Sequence, residues 1–437
     1  MPYAQRRARA IAGFPDGVAI VPGAHLVTRN NDSDFEFRQN SDFFYLTGFD
    51  EPDAVLVLSQ GENGARSTLF LHRRDRTQEI WNGKRLGVEA AAERLGVDAA
   101  FAIDELDERL PALLAGAKTL HYDQGLDENM DRRVQRALGA AREAVRRKGF
   151  APRAIVDASL VLHGLRARKS DDEIATMRRA AEITRRGHVA AMRATRPGVF
   201  EYEIEAVLEY EYKRAGAQST AYDSIVAGGD NALVLHYNTN RERLEAGTLL
   251  LVDSACELDL YATDVTRTWP VDGRFSPEQR AIYEIVHAAQ RAACACVAPG
   301  RKQREFHEAA VRTIVEGLID VGLLHGTLDE NIEKETYRDF YPHGTGHWIG
   351  LDVHDVGAYR NERDEPVTLE PGMATTVEPG IYVQRDLDCD ERFKGIGVRI
   401  EDDLVVTATG HENLTDSIPK AIDEIEAIVG TAELVHA

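Results

Sequence analysis

Residues 249–269, LLLVDSACELDLYATDVTRTW, carry the problem on which the fold turns. A run of Leu and Val ends in Asp253, and Asp264 sits inside a second strand-like stretch. With a tight turn at Leu258-Asp259, the segment predicts a β-hairpin in which Asp253 faces Asp264 at the ~5 Å spacing of a cross-strand pair. Two carboxylates so placed repel by roughly 3 kcal/mol at an effective dielectric of about 20. Either one is protonated or a cation sits between them. A wider loop that leaves one Asp solvated is the alternative, and the hairpin alone does not decide. Thr266 and Thr268 put Asp264 on the hydroxyl-bearing face of its strand, which suits a hydrogen-bonded polar site.

Working outward, the arrangement recurs towards the C-terminus. Glu378 in TTVEPGIYV and Glu401 in GVRIEDDLVV lie in strands joined by the polar loop QRDLDCDERFKG. Both are flanked by β-branched residues, where an ionisable group is costly unless paired. Between the two ribbons, YPHGTGHWIGLDVHDVG brings His343, His347 and His354 close in sequence. Gly344 and Gly346 make a regular helix an unfavourable host, so the i,i+4 histidines are not a helical zinc motif. His236, in NALVLHYNTN, is isolated and gains no role from sequence physics. Several carboxylate oxygens with one imidazole suit Mn²⁺, Co²⁺ or Zn²⁺. Carboxylates that bridge would hold two such ions ~3.5–4 Å apart, lower the pKa of a bridging water and clamp a tetrahedral intermediate.

The chain has 437 residues, more than one hydrophobic core usually serves, and 43% of them are hydrophobic. Short β-like runs (GVAIVPGA, AVLVLS, STLFLH, KTLHYD) alternate with helical ones (VEAAAERLG, ELDERLPALLAG), which predicts an α/β N-terminal domain over 1–165. Ser170 and Glu173 then form a capping box, opening a second domain over 166–437. Helices are expected at about 171–195 and 201–215, from Pro277 in a second capping box to Pro299-Gly300, and around 303–323. A net charge of -21 argues against nucleic acid or an anionic membrane as partner. The four cysteines are too few for a disulfide framework and read as reduced thiols. No signal peptide and no apolar run of about 20 residues stand out, so the cytoplasm is the expected location.

In order along the chain, Asp253, Asp264, His347, Glu378 and Glu401 resemble the Asp, Asp, His, Glu, Glu ligand pattern of the pita-bread metallopeptidases, which include methionine aminopeptidase, aminopeptidase P and prolidase. RQNSDFFYLTGFDEPDAVLVL and EIWNGKRLG in the first domain look like the N-terminal domain of bacterial aminopeptidase P. The resemblance implies a pita-bread α+β catalytic domain behind the α/β domain. It implies Asp253 as a terminal ligand, Asp264 and Glu401 as bridging ligands, and His347 and Glu378 completing the second ion, with Glu378 also the proton shuttle. His236, His343 and His354 match histidines that hydrogen-bond the scissile carbonyl and line the proline pocket. Arg399 and Tyr382 match residues behind the ligands, and Arg363 a substrate-binding arginine. Trp81 and Asp32 match residues that one subunit lends to a neighbour in oligomeric relatives. Two local departures are VDSAC, where relatives often have Asp-Ala-Gly, and a longer RNERDEPVTLEPG segment.

The expected activity is metal-dependent release of an N-terminal residue that precedes proline, with a hydroxide bridging two divalent ions, Mn²⁺ first and Co²⁺ or Zn²⁺ as alternatives. Its partners are peptides with proline second, and the resemblance implies a homodimer or homotetramer. Prolidase, restricted to Xaa-Pro dipeptides, is the nearest alternative because the same ligands serve both. A silent pita-bread binding module would lack one or more ligands, whereas all five are present. A metal-free carboxylate hydrolase is disfavoured by the histidine cluster.

Overall fold

The computed structural model describes residues 2–61, 64–146 and 149–432. Internal contacts divide the chain into two compact units, Met1–Arg166 and Ala167–Ala437. The first is built on a six-stranded mixed sheet whose order, by residues, is Ala99–Ala102, Gly64–Leu71, Val55–Gly61, Gly17–Pro22, Thr119–His121 and Ala154–Val156. Gly17–Pro22 runs antiparallel to Val55–Gly61 and parallel to Thr119–His121. Helices Leu106–Leu114 and Glu128–Ala144 bury Leu110, Leu114, Val134 and Leu138 in a core shared with Val18, Ile20 and Val57. Asp127 opens the longer helix by accepting from the N–H groups of Asn129 and Met130. This is the α/β architecture expected from the alternating pattern.

In the second unit, helices Asp171–Ala194 and Glu201–Arg214 pack as one pair, and Pro277–Cys296 and Gln303–Asp320 as another. Their starts are written in the sequence. Glu173 accepts from the Ser170 N–H at 2.9 Å, and Gln279 from the Ser276 N–H at 2.9 Å, each satisfying a donor the helix cannot. Each pair precedes one β-ribbon, so helix pair plus ribbon occurs twice. The buried faces of both pairs and both ribbons share one core that includes Leu250, Trp269, Ile282, Ile314, Val377 and Leu404.

The first ribbon pairs Leu249–Asp253 with Thr266–Pro270 in a register that sets Asp253 against Thr266. It continues as Cys256–Leu258 against Tyr261–Ala262. The expected pairing of Asp253 with Asp264 is therefore displaced by two residues, because the turn sits at Asp259-Leu260, both with positive φ (50° and 62°). Such a turn follows the right-handed twist of its strands, but a Leu in the left-handed region gives no sequence signal. An even shift keeps every side chain on its face, so the polar face survives the correction. In the second ribbon Val377 pairs with Asp402 and Gly380 with Arg399. Carrying that alignment across the gap sets Glu378 opposite Glu401.

Candidate active site

Asp264, Glu378 and Glu401, all three expected within strands, lie instead in the short breaks where each ribbon passes from one sheet to the next. Asp253 is the last residue of its strand. At a break the ladder's hydrogen bonds lapse, and the backbone groups find partners across the two ribbons. The Asp264 N–H donates to Asp403 Oδ2 at 3.0 Å, and the Glu401 N–H to the Thr266 carbonyl at 3.1 Å. Thr268 Oγ1 donates to the Arg399 carbonyl and accepts from the Arg399 N–H.

His347 reaches the same place from the glycine-rich segment. Gly346 packs so tightly on the strand Ala374–Val377 that a Cβ would lie 2.0 Å from the Thr376 carbonyl oxygen. Thr376 and Thr375 then hold the His347 backbone, through Thr376 Oγ1 to its N–H (3.1 Å) and Thr375 Oγ1 to its carbonyl (3.0 Å). The imidazole Nδ1 donates to the Trp348 carbonyl at 3.0 Å. That bond turns Nε2 towards the acids, 3.3 Å from Asp264 Oδ2 and 3.8 Å from Glu378 Oε1.

All five residues of the expected ligand set line one cavity of about 540 Å³. Donor atoms of Asp264, His347 and Glu401 all lie within 4.8 Å of one another. Burial and the mutual repulsion of the carboxylates dominate the electrostatics. Burial, and then the neighbouring Asp264, Glu378 and Asp253, push Glu401 well above the usual carboxylate range. Burial takes Glu378 up to about 7 against the pull of His347 and Arg399, and raises Asp253 although Arg399 opposes it. Burial alone would lower His347, but Asp264 and Glu378 outweigh it and take the imidazole to about 9. Four carboxylates and one imidazole, all oxygen or nitrogen donors, fit divalent cations of hard to borderline character.

Arg399, 4% exposed, supports the cluster from behind. Its guanidinium donates to Asp253 Oδ2 (2.6 Å), Tyr382 Oη (2.9 Å) and Thr266 Oγ1 (3.0 Å). Tyr382 Oη lies 2.9 Å from His343 Nε2, and His343 Nδ1 lies 2.7 Å from the Gly344 carbonyl. Because that carbonyl only accepts, Nδ1 carries the proton, and Tyr382 donates to Nε2. Burial and then Arg399 press His343 down to about 3, which agrees with a neutral ring. Both its nitrogens are engaged, and the ring, which lines the cavity, packs edge-to-face with Tyr341 at 4.8 Å. His236 and His354 also line the cavity, and the His354 ring lies 4.1 Å from that of His347.

The remaining sequence candidates are not gathered here. Arg363 is exposed on a turn, its N–H bonded to Asn361 Oδ1, and is not among the cavity's lining residues. In the first unit, Trp81 projects from the short helix Arg76–Asn82 at 81% exposure, and Asp32 is exposed in the turn between Thr28–Asn30 and Ser33–Asp34. Two further residues, without a signal in the sequence, complete the site: Tyr222, whose Oη donates to Asp253 Oδ1 at 2.6 Å, and Asp403, the acceptor for the Asp264 N–H. Thr266, which donates to Glu401 Oε2 at 2.7 Å, was foreshadowed by the alternation of hydroxyls in VTRTW. Tyr222 stands in AYDSIV with no periodicity to distinguish it.

Residues 175–408 match the family model of metallopeptidase family M24, and residues 3–122 that of the aminopeptidase P N-terminal domain. The chain is 44% identical over 431 residues to Xaa-Pro aminopeptidase of Escherichia coli (strain K12), covering 98% of this chain and 97% of that protein. Its fold superposes on Pseudomonas aeruginosa aminopeptidase PepP with a TM-score of 0.95 at 47% identity, covering 98% and 97% of the two chains. Zn-substituted E. coli aminopeptidase P in complex with product matches with a TM-score of 0.94 at 44% identity, with the same coverage.

Proposed function

Since the chain belongs to metallopeptidase family M24 and carries an aminopeptidase P N-terminal domain, we propose that it is a Xaa-Pro aminopeptidase, a hydrolase that releases the N-terminal residue of peptides with proline second. The observation that carries this reading is the convergence of four carboxylates and one imidazole from two ribbons and a glycine-rich segment on one cavity.

In this reading Asp253, Asp264, His347, Glu378 and Glu401 hold two divalent ions, Mn²⁺ first, with Co²⁺ and Zn²⁺ as alternatives. Bound there, the ions would acidify a water and polarise the scissile carbonyl. The protein's own part begins with Arg399 and Tyr222, which fix the Asp253 carboxylate from two sides. A Glu378 carboxylate oxygen takes the proton of the attacking water and passes it to the leaving proline nitrogen, which must gain a proton to depart as an amine rather than an amide anion. In the same reading His236 and His354 donate to the carbonyl oxygen, and His343 belongs to the wall on which proline packs; all three line the cavity.

The test is release of Xaa from Xaa-Pro-Yaa tripeptides by protein loaded with Mn²⁺, Co²⁺ or Zn²⁺ in turn, beside Xaa-Pro dipeptides. Metal-dependent tripeptide turnover is expected; turnover of dipeptides alone would make the enzyme a prolidase, and none at all would remove the reading. A cytoplasmic location and assembly as a homodimer or homotetramer, with Trp81 and Asp32 reaching a neighbour's site, belong to the same reading. Sedimentation analysis, with Trp81→Ala as probe, checks the assembly. Among the described residues no helix is long and apolar enough to cross a membrane.

A further inference from the structure

Outside the ligand cluster, the catalytic unit buries ion pairs for which the chemistry has no direct use, and one of them joins the segment that carries His354. Lys169 Nζ donates to Asp355 Oδ2 at 2.9 Å, and the two side chains are 2% and 1% exposed. Taking both charges out of water is expensive, and an apolar pair of similar volume would usually serve stability as well. The position of the pair suggests what it achieves instead. Asp355 follows His354 directly, and the segment reverses direction there. The carboxylate points into the protein, while the imidazole lines the cavity.

The surrounding packing converges on that reversal. The Asp355 N–H returns to the Trp348 carbonyl at 2.8 Å, closing a loop, and the Gly350 carbonyl inside it accepts from the Ala262 N–H at 2.8 Å. A Cβ on Gly350 would lie 2.2 Å from Asp355 Oδ2 and 2.7 Å from Lys169 Cε, so the loop closes directly over the ion pair. The Lys169 N–H is itself bonded to the Gly372 carbonyl at 2.8 Å, two residues before the strand whose Thr375 and Thr376 hold His347. Lys169 thus spans the base of the strand that fixes one cavity histidine and the loop that presents the other.

We propose that Lys169 is a positioning residue for the reaction, acting through Asp355 to hold His354 in register with His347. The proposal rests on the assignment of His354 to the substrate side of the cavity. A group displaced by about 1 Å loses up to about 100-fold in rate, so Lys169→Met should lower kcat by about 10- to 100-fold while metal content stays that of the wild type. In the background of His354→Ala the same change should have no further effect, because the group it positions is gone. Small primary alkylamines should restore part of the kcat lost in Lys169→Ala by filling the vacated ammonium site. Independently of turnover, the His354 ring signals in long-range ¹H–¹⁵N spectra should shift or broaden in Lys169→Met, with those of His236 unmoved. If Lys169→Met does not fold, the isosteric Asp355→Asn replaces it throughout. Losses that multiply in the double variant, or unchanged His354 signals, overturn the proposal. A wild-type enzyme without tripeptide turnover overturns the functional reading instead, and the spectra still decide the positioning role.

Discussion

Tyr222 shows how much of the proposed metal chemistry turns on groups one atom away from the carboxylates. Its hydroxyl donates to Asp253 Oδ1 while Arg399 occupies Oδ2, so the carboxylate is oriented from both sides. Losing one such support typically lowers metal affinity by about 10- to 100-fold. Tyr222→Phe is accordingly expected to weaken divalent-metal binding by that factor with little change in melting temperature, as isothermal titration and thermal unfolding would show. His188 supplies a pH prediction. Its Nε2 donates to the Ser254 carbonyl at 2.7 Å, leaving Nδ1 bare and buried, and burial presses the ring down to about 3. The unfolded chain takes up the proton near pH 6.5 and the folded one does not. Stability from this group is therefore complete above about pH 6.5 and drains away as pH falls towards 3, by up to about 1.4 kcal/mol per unit. Urea midpoints between pH 7 and 4 should fall less steeply in His188→Gln than in the wild type.

At the scale of elements, Arg267 locks the second ribbon to the first. Its guanidinium, fully buried, donates to Asp402 Oδ1 at 2.6 Å and to the Thr266, Thr415 and Ile418 carbonyls. Arg267→Met would strand Asp402 with Lys420 as its remaining cation, and should cost roughly 3–5 kcal/mol, read from urea unfolding. Elements are also where the legibility of the sequence changes. The helix starts at Ser170 and Ser276 can be read because capping is local chemistry, and the four acids stand out because ionisable groups beside apolar runs demand a reason, whereas His347 joins them as a proposed ligand only through the family resemblance. The register could not be read, since it depends on a turn at Asp259-Leu260 that composition does not announce. Nor could the breaks holding Glu378 and Glu401, the bond from Tyr222 or the Lys169–Asp355 pair, which join residues far apart in sequence through packing alone. In the first unit, strands such as Ala99–Ala102 and Ala154–Val156 are too short to carry a periodic signal.

Across the whole molecule the net charge is -21, and the proposed substrate is a peptide with a cationic amino terminus. Long-range attraction of this kind is screened by salt. Raising ionic strength from about 0.01 M to 0.5 M should lower kcat/KM more for a lysine-bearing tripeptide than for a glutamate-bearing one of equal length, and stopped-flow or steady-state rates would show the difference. The interlacing of the two ribbons at their breaks has a kinetic corollary. Because the amide of Asp264 is capped by Asp403 and that of Glu401 by Thr266, neither hairpin can peel open without stripping the other. In deuterium-exchange experiments the two amides should lose protection in a single shared event, so that the halves of the centre come apart together or stay closed.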